Sequence, residues 1–344
     1  MRLETQNFPP EANPPRAEKL GKKACPGPGR GFRVCADFPI RAAAQPGSGF
    51  QFMLLWCGFC LGLGTAFAEK GGDIGLSVAP GWLVIRNVPV GQLYDMENRA
   101  KTRFKVHNGS DQPRRYSLKA DKPEKVGVKV LKGYTGIPDP AWFWFEKNEV
   151  LVPARGVEEI KMFLRIPDEE KYCNQKWAVG IDVEGQPEAG EGLVLAVSPV
   201  FYIETEARSE VQEKPAGCLG LAPATIVLEN TALGKSQAVS ALKVYNNDRR
   251  PHLYKISSMV PSAEPGRQVI TPSPGFSWIP EKAWLQPGAR VLEIGPAEMK
   301  KVTLELDIPA QADFLNQRWE GIIFIESEEG LADFARVQIK TSER

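Results

Sequence analysis

Two histidines, His107 and His252, are the only imidazoles among 344 residues. Neither has a Cys, Ser or acidic neighbour at the spacing of a catalytic triad or a metal cage, both of which need groups converging on one point. No phosphate loop or dinucleotide fingerprint occurs. The six cysteines thin out on inspection. Cys57-x-x-Cys60 has the spacing of a redox or metal pair, but it sits in an uncharged apolar run that supplies neither chemistry. Cys25 and Cys35 belong to a Pro/Gly-rich start, which leaves Cys173 and Cys218. Those two admit either a disulfide clamping two domains, worth about 2–4 kcal/mol in an oxidising compartment, or two free thiols. Asn108-Gly109-Ser110 is a formal glycosylation sequon, meaningful only in a eukaryotic secretory pathway. These residues predict a non-enzymatic protein with no catalytic group, no cofactor and no metal.

Contact chemistry is better represented. Trp142-Phe143-Trp144-Phe145 places four aromatics in a row. Adjacent side chains on a strand point to opposite faces, so two of the four must leave any one core. An exposed aromatic pair would bind a sugar ring or a partner's apolar strand; buried, it would pack against a neighbouring loop or domain. Leu193, Leu195 and Val197, followed after a break by Val200 and Tyr202, form an alternating apolar row of the kind that strand addition uses.

The elements that carry these residues announce themselves by duplication. Ile166-Pro167, Asn174-Gln175 and Trp177 recur as Ile308-Pro309, Asn316-Gln317 and Trp319 at an offset of 142 residues. Phe104 to Asn108, Pro113 and Tyr116 match Leu242 to Asn246, Pro251 and Tyr254 at an offset of 138. Ala79-Pro80, Asn87 and Gly91 match Ala222-Pro223, Asn230 and Gly234 at 143. Solenoid repeats run only about 20 to 50 residues, so a period this long means two whole domains of one fold. The offset changes only between blocks, which puts the length differences in loops. Because Trp177, Trp319, Asn174 and Asn316 recur, they read as core anchors and turn residues.

Within each copy the period is two. Ile160, Met162, Leu164 and Ile166 fall on one side of a strand, as do Val302, Leu304, Leu306 and Ile308. Strands are expected near 76–87, 100–107, 114–120, 126–131, 142–152, 157–166, 176–184 and 193–205, with the second copy following by the offsets. No convincing helical stripe appears. About seven short strands with turns near every ten residues give an all-β fold of two tandem immunoglobulin-like antiparallel β-sandwiches. The domains are placed at 73–205 and 218–341, joined by a polar linker at 206–217.

Residues 51–68 carry no charge and end in Ala66-Phe67-Ala68, the pattern of a secretory signal peptide, placed at 53–68 and cleaved after Ala68. The alternative is an uncleaved membrane anchor. Residues 1–52, with eight Lys/Arg against four Asp/Glu, read as a disordered extension or the product of a misplaced start. The net charge of +1 leaves no concentrated basic face, which argues against nucleic acid.

The Asn-containing turn with a downstream Pro and Tyr, the Ile-Pro closing a strand, and Asn-Gln before an aromatic strand start resemble bacterial immunoglobulin-like domains of the PapD and major-sperm-protein type. This resemblance, over most of residues 73–341, implies an exported interaction or structural protein of the cell envelope. The expected location is periplasmic or secreted. Its partner would be an envelope or surface protein or a glycan, with membrane contact only through the signal or an uncleaved anchor. It also implies an alternative, a periplasmic pilus-assembly chaperone acting by strand addition, which would need a basic pair between its domains and an open edge on its last strand.

Overall fold

The structure is a computed structural model that describes residues 75–186, 194–261 and 270–343. The segment at 53–68 and Leu193 lie outside the described residues. The chain is all-β and forms two sandwiches. In the first, one sheet runs in the order Trp82–Val88, Val200–Thr205, Lys176–Gly185, Arg114–Asp121, Glu149–Val152. Facing it across the core are two three-stranded sheets: Leu76–Ala79, Phe104–Asn108, Val157–Ile160, and Leu93–Asp95, Met162–Arg165, Phe143–Phe145. The second sandwich repeats this order. Thr225–Thr231, Ala332–Thr341, Arg318–Ser327, His252–Met259, Val291–Ile294 form one sheet, and Leu219–Ala222, Gln237–Asn246, Met299–Leu306, Leu285–Pro287 the other. Among the described residues no helix is long and apolar enough to cross a membrane.

The duplicated residues fix the frame in the same way twice. Ala79-Pro80 and Ala222-Pro223 are both cis, and at each the chain passes from one sheet to the other. Asn174 and Asn316 take the left-handed conformation at φ 60° and 58°, which Asn tolerates better than a bulky residue. Trp177 packs with Trp142 and Tyr172, and Trp319 with Trp284 and Phe314. Both tryptophans are buried, as expected of anchors. Asn108 is buried as well. Its amide donates to the carbonyls of Gln112 (2.8 Å), Val152 (3.2 Å) and Pro153 (3.1 Å), and Asn246 makes the matching bonds to Arg250, Ile294 and Gly295. A glycan on Asn108 would have to break that node, so the sequon is structural.

Three expectations are corrected. Residues 126–131 form turns and loop rather than a strand, because Gly127 and Gly133 have positive φ angles of 73° and 90° that a strand cannot use. The expected strands at 76–87, 142–152 and 157–166 are each two strands in different sheets. A five-residue helix, Met96–Ala100, interrupts the first copy, where the second runs on as the single strand Gln237–Asn246. Asp95 caps it, accepting from Glu97 N at 2.9 Å, and Lys101 ends it at φ 52°. The offset falls from 143 to 138 between Gly91 and Phe104, so the helix accounts for the five extra residues.

Candidate functional site

The four aromatics separate into different jobs. Phe143 and Phe145 are core residues packed on Phe104 and Phe201, so they are not part of a contact surface. The physical reason is strand parity: Phe143–Phe145 is the edge strand, and its odd positions face the other sheet. Trp142 lies in the short helical turn before that strand and is half-buried against Tyr172 and Trp177. Only Trp144 stands on the outside, 37% exposed, stacked on Phe163 of the next strand at 5.7 Å and 24°.

The last strand of the first sandwich also departs from expectation. Val200–Thr205 is not an edge, since Trp82–Val88 pairs with it on one side and Lys176–Gly185 on the other. Tyr202 is buried between the sandwiches. Leu195 and Val197 are half-buried, and among the described residues Ala196–Val197 pairs only with Val183 and Glu184.

Cys173 and Cys218 are both free in this structure, so no disulfide joins them. Cys173 is buried, with Sγ 3.7 Å from Glu206 Oε1, whereas Cys218 is exposed. Burial pushes the Cys173 thiol up to about 11, and only a thiolate is a competent nucleophile. Native alkylation at neutral pH followed by peptide mapping should label Cys218 and spare Cys173 until the protein is unfolded. Equal labelling of both would contradict the burial.

The most elaborate chemistry lies where the sandwiches meet. Each contributes the outer face of its larger sheet. Tyr134, Ala178 and Tyr202 from the first form one apolar cluster with Ile270, Ile322, Phe324 and Phe334 from the second. The ring of Tyr134 sits 4.7 Å from Tyr202 and 5.5 Å from Phe334. Beside it Arg336, 2% exposed, crosses the seam. It makes a two-pronged contact with Glu204, from Nε at 2.7 Å and Nη2 at 2.6 Å, while Nη1 donates to Glu320 at 2.5 Å and to Thr271 O at 3.2 Å. Tyr134 donates to Glu204 at 2.6 Å, and Arg86 reaches over to the Thr271 and Pro272 carbonyls at 2.7 and 2.9 Å. A second pair, Lys176 to Asp333 at 2.9 Å, closes the far side. Asn174 adds a neutral tie, accepting from Ala224 N at 2.8 Å and from Arg208 N at 3.0 Å. Its side chain therefore serves the linker and the other sandwich as well as its own turn.

The charges of this seam balance: Glu204, Glu320 and Asp333 face Arg86, Arg336 and Lys176. Burial alone would raise the Glu204 carboxyl, but the charge and hydrogen bonds of Arg336 with the Tyr134 hydroxyl hold it below its usual range. Burial lowers the Arg336 guanidinium, and Glu204 and Glu320 more than reverse that. Asp333 goes the other way, its burial outweighing the Lys176 ammonium, so its carboxyl is raised. Tyr134 is raised well above the ordinary phenol by burial and by Glu204. These groups are engaged with one another across the seam, save that Arg86 Nε is buried without a hydrogen-bond partner.

Sequence reasoning passed over Tyr134, Glu204, Glu320 and Arg336, although a signal was present. Trp177 to Ile181, Val200 to Ile203 and Gly321 to Ile325 are continuous apolar runs where a half-wet strand should alternate. Strands buried on both faces read this way.

No family model matches the sequence, and no curated protein matches it. Solved structures that it resembles include PapD-like domains and chaperones. The PapD-like domain 7 of human CEP192 is 11% identical, with a TM-score of 0.29 over 44% of this chain and 99% of that one. A protein from Porphyromonas gingivalis is 14% identical, with a TM-score of 0.28 over 77% and 99% of the two chains. The E. coli chaperone DraB is 12% identical, with a TM-score of 0.26 over 78% and 97%.

Proposed function

We propose that this protein is exported and non-enzymatic, and that it works as one rigid two-sandwich body through protein or glycan contact at the cell envelope. The observation that supports this reading is the seam. Its buried charges pair with one another, which holds the two sandwiches in one arrangement and leaves the outward faces for contact. A rigid scaffold that presents a surface loses little conformational freedom on binding.

One observation favours the second reading, a chaperone that adds a strand to a client: among the described residues Ala196–Val197 has a neighbour on one side only. Two others count against it. The next strand, Val200–Thr205, is sealed by Trp82–Val88, and the basic pair between the sandwiches, Arg86 and Arg336, donates to internal acceptors. Fractionation of host cells with N-terminal sequencing tests the main reading. The expected product starts after Ala68 and leaves the cytoplasm; a full-length cytoplasmic chain would refute it. Capture of pilin-like subunits that is lost on Leu195→Asp and Val197→Asp would establish the second reading in its place.

A further inference from the structure

The outer face of the first sandwich's Leu93–Asp95, Met162–Arg165, Phe143–Phe145 sheet carries a patch that the second copy lacks. In register across three strands stand Asp95, Phe163 and Trp144. In the next row Leu93, half exposed, lies opposite Arg165. Same-face rows along a strand are about 7 Å apart, so the guanidinium is within one side chain's reach of the rings. Arg165 is exposed and has no hydrogen-bond or ion-pair partner among the described residues. The row on the other side of the rings differs. There Lys161 and Arg103 pair with Glu97, Arg103 and Lys105 pair with Glu159, and Glu146 stands exposed. The patch is thus a stacked aromatic pair with the Arg165 cation on one flank, balanced or negative charge on the other, and at the end of the ring row the Asp95 carboxylate, which is engaged as a helix cap by Glu97 N and the Asn98 amides.

Comparison between the copies shows that the sheet does not need this chemistry. At the equivalent positions of the second sandwich, Ser236, Gln286, Glu305 and Asp307 stand in place of Leu93, Trp144, Phe163 and Arg165. The same framework folds there with four polar residues, two of them acidic. The aromatic pair and the cation are therefore features of the first face rather than requirements of the fold.

We propose that this face binds acidic polysaccharide, with uronic-acid rings lying on Trp144 and Phe163 and a ring carboxylate held by Arg165. This rests on the contact function proposed above and names its partner. The C–H face of a sugar ring is apolar and flat, and it matches rings held in place by a sheet. A guanidinium offers paired donors that fit a carboxylate. Phe163 and Arg165 lie on the middle strand, paired on both sides, so they are offered as a face, whereas a partner adding a strand would engage the sheet's edge at Phe143–Phe145 and not the ring face.

Titration calorimetry of the mature chain with polygalacturonate, alginate, dextran and poly-glutamate tests this. Binding to the two uronic polymers and not to dextran is expected, weakening with salt because an exposed charge is screened. Trp144→Gln and Arg165→Asp, which install the second copy's residues, should each weaken binding at least tenfold while the variants keep a β-sheet spectrum and a cooperative unfolding transition. Failure to bind either uronic polymer would overturn the proposal, as would dextran binding of equal strength or insensitivity to both substitutions. Binding to poly-glutamate alone would also overturn it, in favour of an acidic protein. Export with loss of residues 1–68 would stand in any of these cases, so the two readings can fail separately.

Discussion

Arg336→Met is expected to destabilise the protein by about 3–5 kcal/mol, because it strips both buried carboxylates of their hydrogen-bonded counter-ion and leaves Glu204 only the looser Arg86 contact at 3.9 Å. Glu204 and Glu320 both bond to this one guanidinium, and both are nearly inaccessible to water. The methylene part of the side chain is conserved in the substitution, so the loss reports charge rather than volume. Urea unfolding followed by tryptophan fluorescence measures it. Adding Glu204→Gln and Glu320→Gln to the same variant should restore part of the loss, since neutral amides cost less to bury than orphaned charges. A loss below about 1 kcal/mol for the single variant would mean that water reaches the seam and compensates the carboxylates.

Phe334→Ala is expected to cost about 3–5 kcal/mol as well, and to change how the protein unfolds. Phe334 is fully buried at the seam, against Tyr134 on one side and with the Lys176 ammonium 4.7 Å from its ring centre on the other. Gly133 approaches it so closely that a Cβ there would lie 2.6 Å from the ring, which shows how little free space surrounds it. Removing the ring leaves a cavity between the sandwiches rather than inside either one. Scanning calorimetry should therefore show the wild type unfolding in one transition and the variant in two, as the sandwiches come apart before each melts. A single transition displaced by less than about 3 °C would contradict the coupling.

Much of the scaffold was legible because the chain states it twice. Asn174 with Asn316 and Trp177 with Trp319 took the turn and anchor positions that their recurrence implied. Even the five-residue helix was encoded, as a drop in the offset, although its helical form was not. What resisted reading was everything that depends on the two copies meeting. Alternation reveals that one face of a strand is buried, but not what covers the other. Tyr202 therefore looked like part of an edge row, yet it belongs to the seam. Phe143 and Phe145 looked like half of a surface because parity within Trp142 to Phe145 cannot be assigned without knowing where the strand begins. The structure starts it at Phe143, one residue after a helical turn.

The linker is tied down along its length. Glu206 N bonds to Val88 O, Gln212 and Glu213 donate to the Glu170 carboxylate, Ala216 N bonds to Lys171 O, and Asn247 holds the Pro215 and Gly217 carbonyls. A chain so pinned to both bodies is not a hinge, and the seam beside it has no slack to open. A load applied to one sandwich passes to the other through a solid joint, and the molecule turns as a single lever.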